Sequence, residues 1–408
     1  MAKTLVLKFG GSSVGTAERI RRVAKIVAAH RAQTPEVVVV VSAMGQSTDE
    51  LIDLAKQVSP SAQKLSHRRE MDMLLTSGER ISMALLSMAL GDLEVPAISL
   101  TGSQSGIITD TTFGEATIKE IKPIRIVENL KLGKVVIVAG FQGVSEEKEI
   151  TTLGRGGSDT SAVALAIALG ADESIIYTDV DGFYSADPRI VKGAKALAEI
   201  PWQVAIQGSL RGAQVMHSRS VELAWKHKMP VRVCSSFVDE KAFARANTRG
   251  TLIRGDINDG AYMKHLESGQ VMSVSLQKNL SLLTMEKTTQ TEKVLAQAMQ
   301  KGFRPLRCTT EFSDPACLKL LVEDDQKEFT SGFPITDQKK NLFRLSIVGV
   351  AINRMKTLQK DVASLLSDHT TSVLEQDLDP TYLSFLLSVP TQERAEQLLN
   401  SVHKAFVK

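Results

Sequence analysis

The 408-residue chain is poor in the features that would tie it to an oxidising compartment, a membrane or a nucleic acid. It has three cysteines, Cys234, Cys308 and Cys317. Their spacing fits neither a zinc site nor a redox pair, so buried free thiols in a reducing compartment are expected. No apolar run approaches the roughly 18 residues that a membrane-spanning helix needs. Lys3 and Lys8 flank Leu5–Leu7 without an apolar signal-peptide region after them, so a cytoplasmic location is expected. Charge of one sign is also missing: 49 basic residues face 46 acidic ones, for a formal net charge of +3. With no Lys/Arg run to act as an electrostatic footprint, neither a nucleic acid nor a membrane is expected as a partner. Low-complexity segments are absent too, as are the Walker-type spacing and GxGxxG.

Apolar residues make up 43% and charged residues 23%, the composition of a globular protein with a real core. The length suits two or three domains. Strand-like and helix-like segments alternate through the first half. Leu5–Phe9, Val37–Val41 (five valines), Val135–Ala139 and Ser174–Tyr177 read as strands. Continuous β-branched runs suit strands covered on both faces. Ala17–Arg31, Glu50–Gln57, Glu79–Leu90, Thr160–Leu169 and Ser220–Lys228 read as helices. Repeated β-α units predict an α/β domain around a mainly parallel sheet. The Gly/Asp/Asn-rich stretch Arg249–Gly260 reads as a linker. Beyond it, two rounds of β-α-β-β-α predict two small ferredoxin-like units, with Val271–Leu276 and Ser281–Met285 as separate apolar segments.

Two glycine-rich loops carry the chemistry. Lys8-Phe9-Gly10-Gly11-Ser12-Ser13-Val14-Gly15 follows a strand and precedes a helix. Glycines let the backbone approach a phosphate, whose charge the N–H groups and the helix N-terminus then face. Lys8 adds a point charge. The plainer reading is a strand-to-helix turn with a snorkelling lysine. The second loop, Thr151-Thr152-Leu153-Gly154-Arg155-Gly156-Gly157-Ser158-Asp159-Thr160, follows a polar hairpin and opens an apolar helix. Arg155 can hold a carboxylate with a bidentate fork, and Asp159 can serve as a helix cap. In an open α/β sheet both loops would converge at the C-terminal strand edge. A third segment, Tyr177–Arg189, contains the turn pairs Asp181-Gly182 and Asp187-Pro188. Its acids read as turn residues, or as groups for ribose hydroxyls or a metal.

Together these segments resemble the amino-acid kinases, and within them the aspartokinases. The carrying residues are Lys8–Val14 (KFGGSSV), Val38–Leu54 (VVVVSAMGQSTDELIDL), Thr76–Ile81 (TSGERI), Leu100–Ile107 (LTGSQSGI), Ala139–Gly143 (AGFQG), Thr151–Ala162 (TTLGRGGSDTSA), Tyr177–Arg189 and Arg232–Phe237 (RVCSSF). The resemblance implies a three-layer α/β/α sandwich over residues 1–248, with ACT-like domains at 262–340 and 341–408. It implies that ATP with Mg²⁺ phosphorylates L-aspartate to 4-phospho-L-aspartate, the first step towards lysine, threonine, methionine and diaminopimelate. It also implies a homodimer or higher homo-oligomer through the ACT-like domains, and lysine or threonine as effector.

The resemblance assigns residues as well. Lys8 and Asp159 take the catalytic positions, with Asp159 organising the cations around the phosphates. Arg155 grips the substrate α-carboxylate beside Gly156, Gly157 and Ser158, and Glu79 receives the ammonium group. Ser42, Thr48 and Phe141 match further substrate-pocket positions. Gly10, Gly11 and Ser12, with Thr178, Asp179, Tyr184, Asp187, Pro188 and Arg189, match the nucleotide site. No protein ligand to a metal is assigned.

The sequence departs from the family in two places. A lysine that contacts nucleotide phosphate in relatives is Gln214 here, and an upstream glutamate is Gln207. Arg211 is a candidate replacement cation if the segment is helical. A catalytically weakened regulatory or assembly subunit is the alternative, and a kinase for another acid is a third reading. The Pro-Gly turn usual after the first ACT strand is also missing, with Glu286–Thr291 and Ala351–Arg354 in its places. Domains kept mainly for dimerisation, with weak or altered feedback, are therefore expected.

Overall fold

The computed structural model describes residues 4–62, 64–213, 215–238, 249–263, 267–300, 303–310, 316–369 and 371–407, so Gln214 and the expected boundary at 248 lie outside the described residues. The chain divides into two compact units. The first holds residues 1–183, 196–209 and 214–257; the second holds 184–195, 210–213 and 258–408.

The strands of the first unit are β1 (Thr4–Phe9), β2 (Glu36–Val41), β3 (Ala97–Leu100), β4 (Ile107–Thr109), β5 (Ile118–Ile121), β6 (Val135–Ala139), β7 (Gln142–Ser145), β8 (Ile150–Thr152), β9 (Glu173–Thr178), β10 (Glu199–Ile200), β11 (Val231–Ser235) and β12 (Thr251–Ile253). Its helices are α1 (Gly11–Val14), α2 (Ala17–Arg31), α3 (Ser47–Val58), α4 (Arg68–Leu75), α5 (Ser77–Gly91), α6 (Ile124–Lys131), α7 (Gly157–Ala168), α8 (Trp202–Leu210, whose last residue belongs to the second unit) and α9 (Ser218–Lys226). Eight strands form one sheet in the order β10-β12-β11-β9-β1-β2-β6-β3, parallel except between β11 and β12. Leu5, Leu7 and Phe9 pack with α2 and α5 on one face. Helix α7 lies against β1 and β2 on the other. Every residue of β1 and β6 is buried, which is why these strands lack a polar alternation. A smaller sheet, β5-β4-β7-β8, carries the hairpin that leads into the second glycine loop.

The stretch read as a linker contains β12, which lies between β10 and β11 in the sheet and pairs with both. Gly250 at φ +73° produced the linker-like composition. A Cβ there would lie 2.0 Å from the Val233 carbonyl, so only glycine lets the chain turn back onto β11.

The second unit begins its regular structure with the short α10 (Gly260–Met263). Its sheet is six-stranded and antiparallel, and it is ACT-like. The strands are β13 (Gln270–Glu286), β14 (Arg307–Thr310), β15 (Cys317–Glu323), β16 (Ile335–Val350), β17 (Ser372–Asp379) and β18 (Tyr382–Ser388), in the order β14-β15-β13-β16-β18-β17. The two β-α-β-β-α rounds therefore share one sheet, joined by long β13 and β16. The two segments expected around Val271–Leu276 and Ser281–Met285 are one strand, with a register shift between Gln277 and Leu280 where Asn279 takes φ +57°. The helices are α11 (Thr289–Gln300), α12 (Leu358–Asp368) and α13 (Gln392–Phe406); α12 and α13 cover Leu345, Ile347, Leu383 and Phe385. The cysteine expectation holds for buried Cys234, but Cys308 is exposed and Cys317 half-buried; all three are free thiols. Cys308 sits on the sheet-edge strand β14, which leaves it uncovered.

Candidate active site

Loops from neighbouring parallel strands leave the large sheet along one edge. The Gly10 N–H donates to Tyr177 C=O (3.2 Å), Ser42 N–H to Phe9 C=O (3.1 Å), Gly140 N–H to Val41 C=O (3.0 Å) and Ser236 N–H to Thr178 C=O (2.9 Å). Each bond extends the ladder just past a strand end. The segments after β1, β2, β6, β9 and β11 thus start side by side at the C-terminal edge, where open α/β sheets bind ligands.

The two glycine loops meet there. Lys8 Nζ, on β1, lies 2.6 Å from Asp159 Oδ1 in the first turn of α7. The helix begins earlier than the sequence suggested. Gly156 occupies the cap position and no side chain caps it, so Asp159 is the partner of Lys8 and not the cap. Gly156 has φ +70°, and a Cβ on it would lie 2.3 Å from the Cβ of His217. Glycine is therefore required by both conformation and space. Gly157 and Ser158 are buried in the same turn, while Arg155 is exposed. In the first loop, Gly10, Gly11 and Ser12 are half-buried, and Gly11 C=O accepts the Gly45 N–H at 3.0 Å. That bond joins the loop after β1 to the loop after β2, which holds Ser42 and leads to Thr48 in the first turn of α3.

Glu79 is the most perturbed acid of the set. It is 3% exposed. Its Oε1 accepts the Ala43 N–H at 3.1 Å, and Oε2 has no hydrogen-bond partner. Burial pushes its pKa up to about 7, against a smaller downward pull from backbone N–H donors. The preceding Gly78 permits this contact, because a Cβ there would stand 2.7 Å from the Ala43 Cβ. A buried carboxylate oxygen without a donor is suited to receive a cationic group.

Phe141 follows β6 at φ +67°, a costly conformation for a bulky residue. It is fixed from two sides: its N–H donates to Ser161 Oγ (3.1 Å), and its C=O accepts the Leu153 N–H (2.8 Å). Strain held in this way is common at functional sites. Thr178 Oγ1 donates to Asp179 Oδ1 (3.0 Å) at the end of β9.

The remaining expected nucleotide residues, Tyr184, Asp187, Pro188 and Arg189, belong to the second unit. There Arg189 pairs with Asp187 at 2.7 Å and holds its carboxyl below the usual range, and Ser273 Oγ donates to Tyr184 C=O at 2.9 Å. The helical condition on which Arg211 was a candidate replacement cation is not met. Helix α8 ends at Leu210, and the Arg211 guanidinium is taken up inside the second unit, 3.3 Å from the Tyr382 ring centroid and 3.8 Å from Asp377.

Sequence reasoning missed three residues around the second loop. Asp72 accepts hydrogen bonds from Gly114 and Thr152, Arg219 donates to Leu153 and Ala116 carbonyls, and His217 packs on Gly156. Arg219 lies 66 positions after its partner Leu153, and Asp72 lies 80 positions before its partner Thr152. Among the described residues, no group of three or more His, Cys, Asp and Glu side chains could hold a metal. No helix among them is long and apolar enough to cross a membrane.

The profile of the amino acid kinase family matches residues 3–235. An aspartokinase of Corynebacterium glutamicum is 41% identical over 366 residues, covering 89% of this chain and 82% of its own length. This chain belongs to the aspartokinases. An aspartokinase of Mycobacterium tuberculosis is 52% identical over 256 residues, but that match spans 62% of this chain and 58% of the relative. The fold of this aspartokinase-family chain is that of E. coli aspartokinase III crystallised with aspartate and ADP, with a TM-score of 0.77 over 100% of both chains at 23% identity. Family membership makes this chain a candidate kinase in which Lys8, Glu79 and Asp159 meet the glycine loops at one sheet edge.

Proposed function

We propose that this chain transfers the γ-phosphoryl group of ATP to the side-chain carboxylate of L-aspartate, giving 4-phospho-L-aspartate and ADP, at the head of the route to lysine, threonine, methionine and diaminopimelate. The observation that carries the reading is the 2.6 Å pair between Lys8 and Asp159, which joins the two anion-binding loops at one buried point.

The acceptor carboxylate, with a pKa near 4, is ionised at neutral pH, so no general base is needed. The task is to bring two anions together and stabilise charge spreading over the transferring oxygens. Lys8 supplies a positive charge, and Asp159 aims it. The N–H groups of Gly10, Gly11 and Ser12, and of Gly157 and Ser158 at the start of α7, add fixed dipoles. Glu79 receives the substrate ammonium at its unpartnered Oε2, and Arg155 holds the α-carboxylate with Gly156 beside it. Ser42, Thr48 and Phe141 line the substrate pocket. Thr178 and Asp179, with Tyr184, Asp187, Pro188 and Arg189, form the nucleotide-binding segment. ATP with Mg²⁺ supplies the phosphoryl group and a divalent charge across its oxygens. Mg²⁺ would be held through the ATP phosphates, with Asp159 organising the cations there, and would supply positive charge at the transferring oxygens.

Within this reading, residues 1–248 are the catalytic domain, and 262–340 and 341–408 are ACT-like domains that pair subunits. The turn after β16 has Ala351 at φ +50° in place of a Pro-Gly pair, which supports weak or altered response to lysine or threonine. Equilibrium dialysis showing tight, saturable binding of either amino acid would contradict that part. The catalytic reading is tested by ADP release in a coupled assay. L-aspartate should stimulate it in the presence of ATP and Mg²⁺, and Lys8→Ala should abolish the stimulation. Absence of any aspartate-dependent ADP overturns the reading.

A further inference from the structure

Both backbone polar groups of Thr152 and of Leu153, and the carbonyl of Gly154, are held just before Arg155. Thr152 N–H donates to Asp72 Oδ2 (2.8 Å), and Thr152 C=O accepts the Ala116 N–H (2.8 Å). Leu153 N–H donates to Phe141 C=O (2.8 Å), and Leu153 C=O accepts from Arg219 Nη1 (2.7 Å). Gly154 C=O accepts the Gly157 N–H (2.9 Å).

Two charged side chains, one before the loop in the sequence and one after it, supply two of these bonds and add others. Asp72, on α4, is 1% exposed. Besides the Thr152 N–H, it accepts the Thr152 hydroxyl at Oδ1 (2.8 Å) and the Gly114 N–H at Oδ2 (3.0 Å). Arg219, on α9, reaches Ala116 C=O with Nη2 (2.9 Å) as well as Leu153 C=O. Asp72 and Arg219 therefore grip the same two segments, residues 114–116 and 152–153, one through donors and the other through acceptors. A buried carboxylate and a bidentate guanidinium are costly ways to hold loops that ordinary packing could hold. Their common product is a fixed take-off point for Gly154 and Arg155.

We propose that Asp72 and Arg219 are positioning residues that set Arg155 for the substrate carboxylate, and so tune affinity for the acid and not for the nucleotide. This rests on the reading of Arg155 given above. Neither side chain needs to touch substrate. The first glycine loop lies on β1 and α1, outside the clamp, so the nucleotide side should be spared.

The test uses the full chain with Arg219→Ala, Arg219→Lys, Asp72→Asn and the mild Thr152→Val. The KM for L-aspartate should rise about tenfold to a hundredfold in Arg219→Ala and Asp72→Asn, and less in Thr152→Val, with the KM for ATP within about twofold of the parent. Arg219→Lys, which can reach only one carbonyl at a time, should fall between. Millimolar guanidinium chloride should restore part of the aspartate KM in Arg219→Ala. In parallel, amide hydrogen exchange should quicken across residues 152–157 in these variants and stay unchanged across 10–14. Equal rises in both KM values, or a fall in kcat alone, would overturn the proposal, as would unchanged exchange at 152–157. If the parent shows no turnover with aspartate, the functional reading has failed, and the exchange experiment still decides whether the clamp exists.

Discussion

Lys8 Nζ and Asp159 Oδ1 lie 2.6 Å apart although the residues are 151 positions apart in the chain, and both side chains are only slightly exposed. The pair ties the end of β1 to the start of α7. Removing Lys8 would take away a charge from the transferring group and leave a mostly buried carboxylate uncompensated. Lys8→Ala should therefore lower kcat by at least about 10²–10³, as for loss of one transition-state donor. Asp159→Asn should lower kcat while leaving the KM for aspartate within a few-fold. Steady-state kinetics on both variants check this.

Glu79 gives a pH prediction with a definite sign. Its folded pKa of about 7 is above the ordinary 4.5. The unliganded fold thus binds more protons than the unfolded chain between these values. The associated stability is fully present below about 4.5 and lost as pH rises through about 7, by on the order of 3 kcal/mol. Substrate binding runs the other way, because an ammonium group favours the ionised form. The KM for aspartate should fall as pH rises from 6 to 8, and Glu79→Gln should flatten that dependence while raising the KM throughout. Initial rates across pH measure it.

Gly78 sets two effects against each other. Alanine in a helix gains about 1 kcal/mol over glycine. A Cβ at 78 would stand 2.7 Å from the Ala43 Cβ, and overpacking of this kind costs about 1–3 kcal/mol. The clash should win or nearly balance. Gly78→Ala should shift Tm by a few degrees at most, yet raise the KM for aspartate severalfold by displacing Glu79 from Ala43. Calorimetry together with kinetics separates the two outcomes.

Gln214 and Arg211 give a paired prediction. With its guanidinium against Tyr382 and Asp377, Arg211 is expected not to serve the nucleotide. Gln214→Lys should then raise kcat/KM for ATP about tenfold or more, in line with a restored phosphate contact. Arg211→Ala should destabilise the second unit and leave kcat within a few-fold. A large kcat loss in Arg211→Ala would reverse this assignment.

Much of the catalytic unit was legible in the sequence. The valine runs at β2 and β6 announced strands buried on both faces, and the two glycine stretches announced turns into helices, because those signals are local. Contacts across long separations were not legible. Nothing near Asp72 indicates Thr152, and nothing near Gly156 indicates that His217 fills the space a side chain would need. Asp159 looked like a cap because it follows glycines at a helix start; only the path of β1 shows that Lys8 reaches it. β12 looked like a linker because three strand residues follow a required glycine. The fusion of the two ACT-like rounds into one sheet depends on β13 pairing with β16, which no local pattern encodes.

The central claim is phosphorylation of the aspartate side chain, and trapping of the acyl phosphate tests it most directly. The full chain should be incubated with ATP, Mg²⁺ and hydroxylamine, and with L-aspartate, L-glutamate or N-acetyl-L-aspartate in turn. The account predicts hydroxamate from L-aspartate, and far less from either of the others, since Glu79 suits a free ammonium group. No hydroxamate from L-aspartate at high enzyme concentration, or equal yield from N-acetyl-L-aspartate, would contradict it.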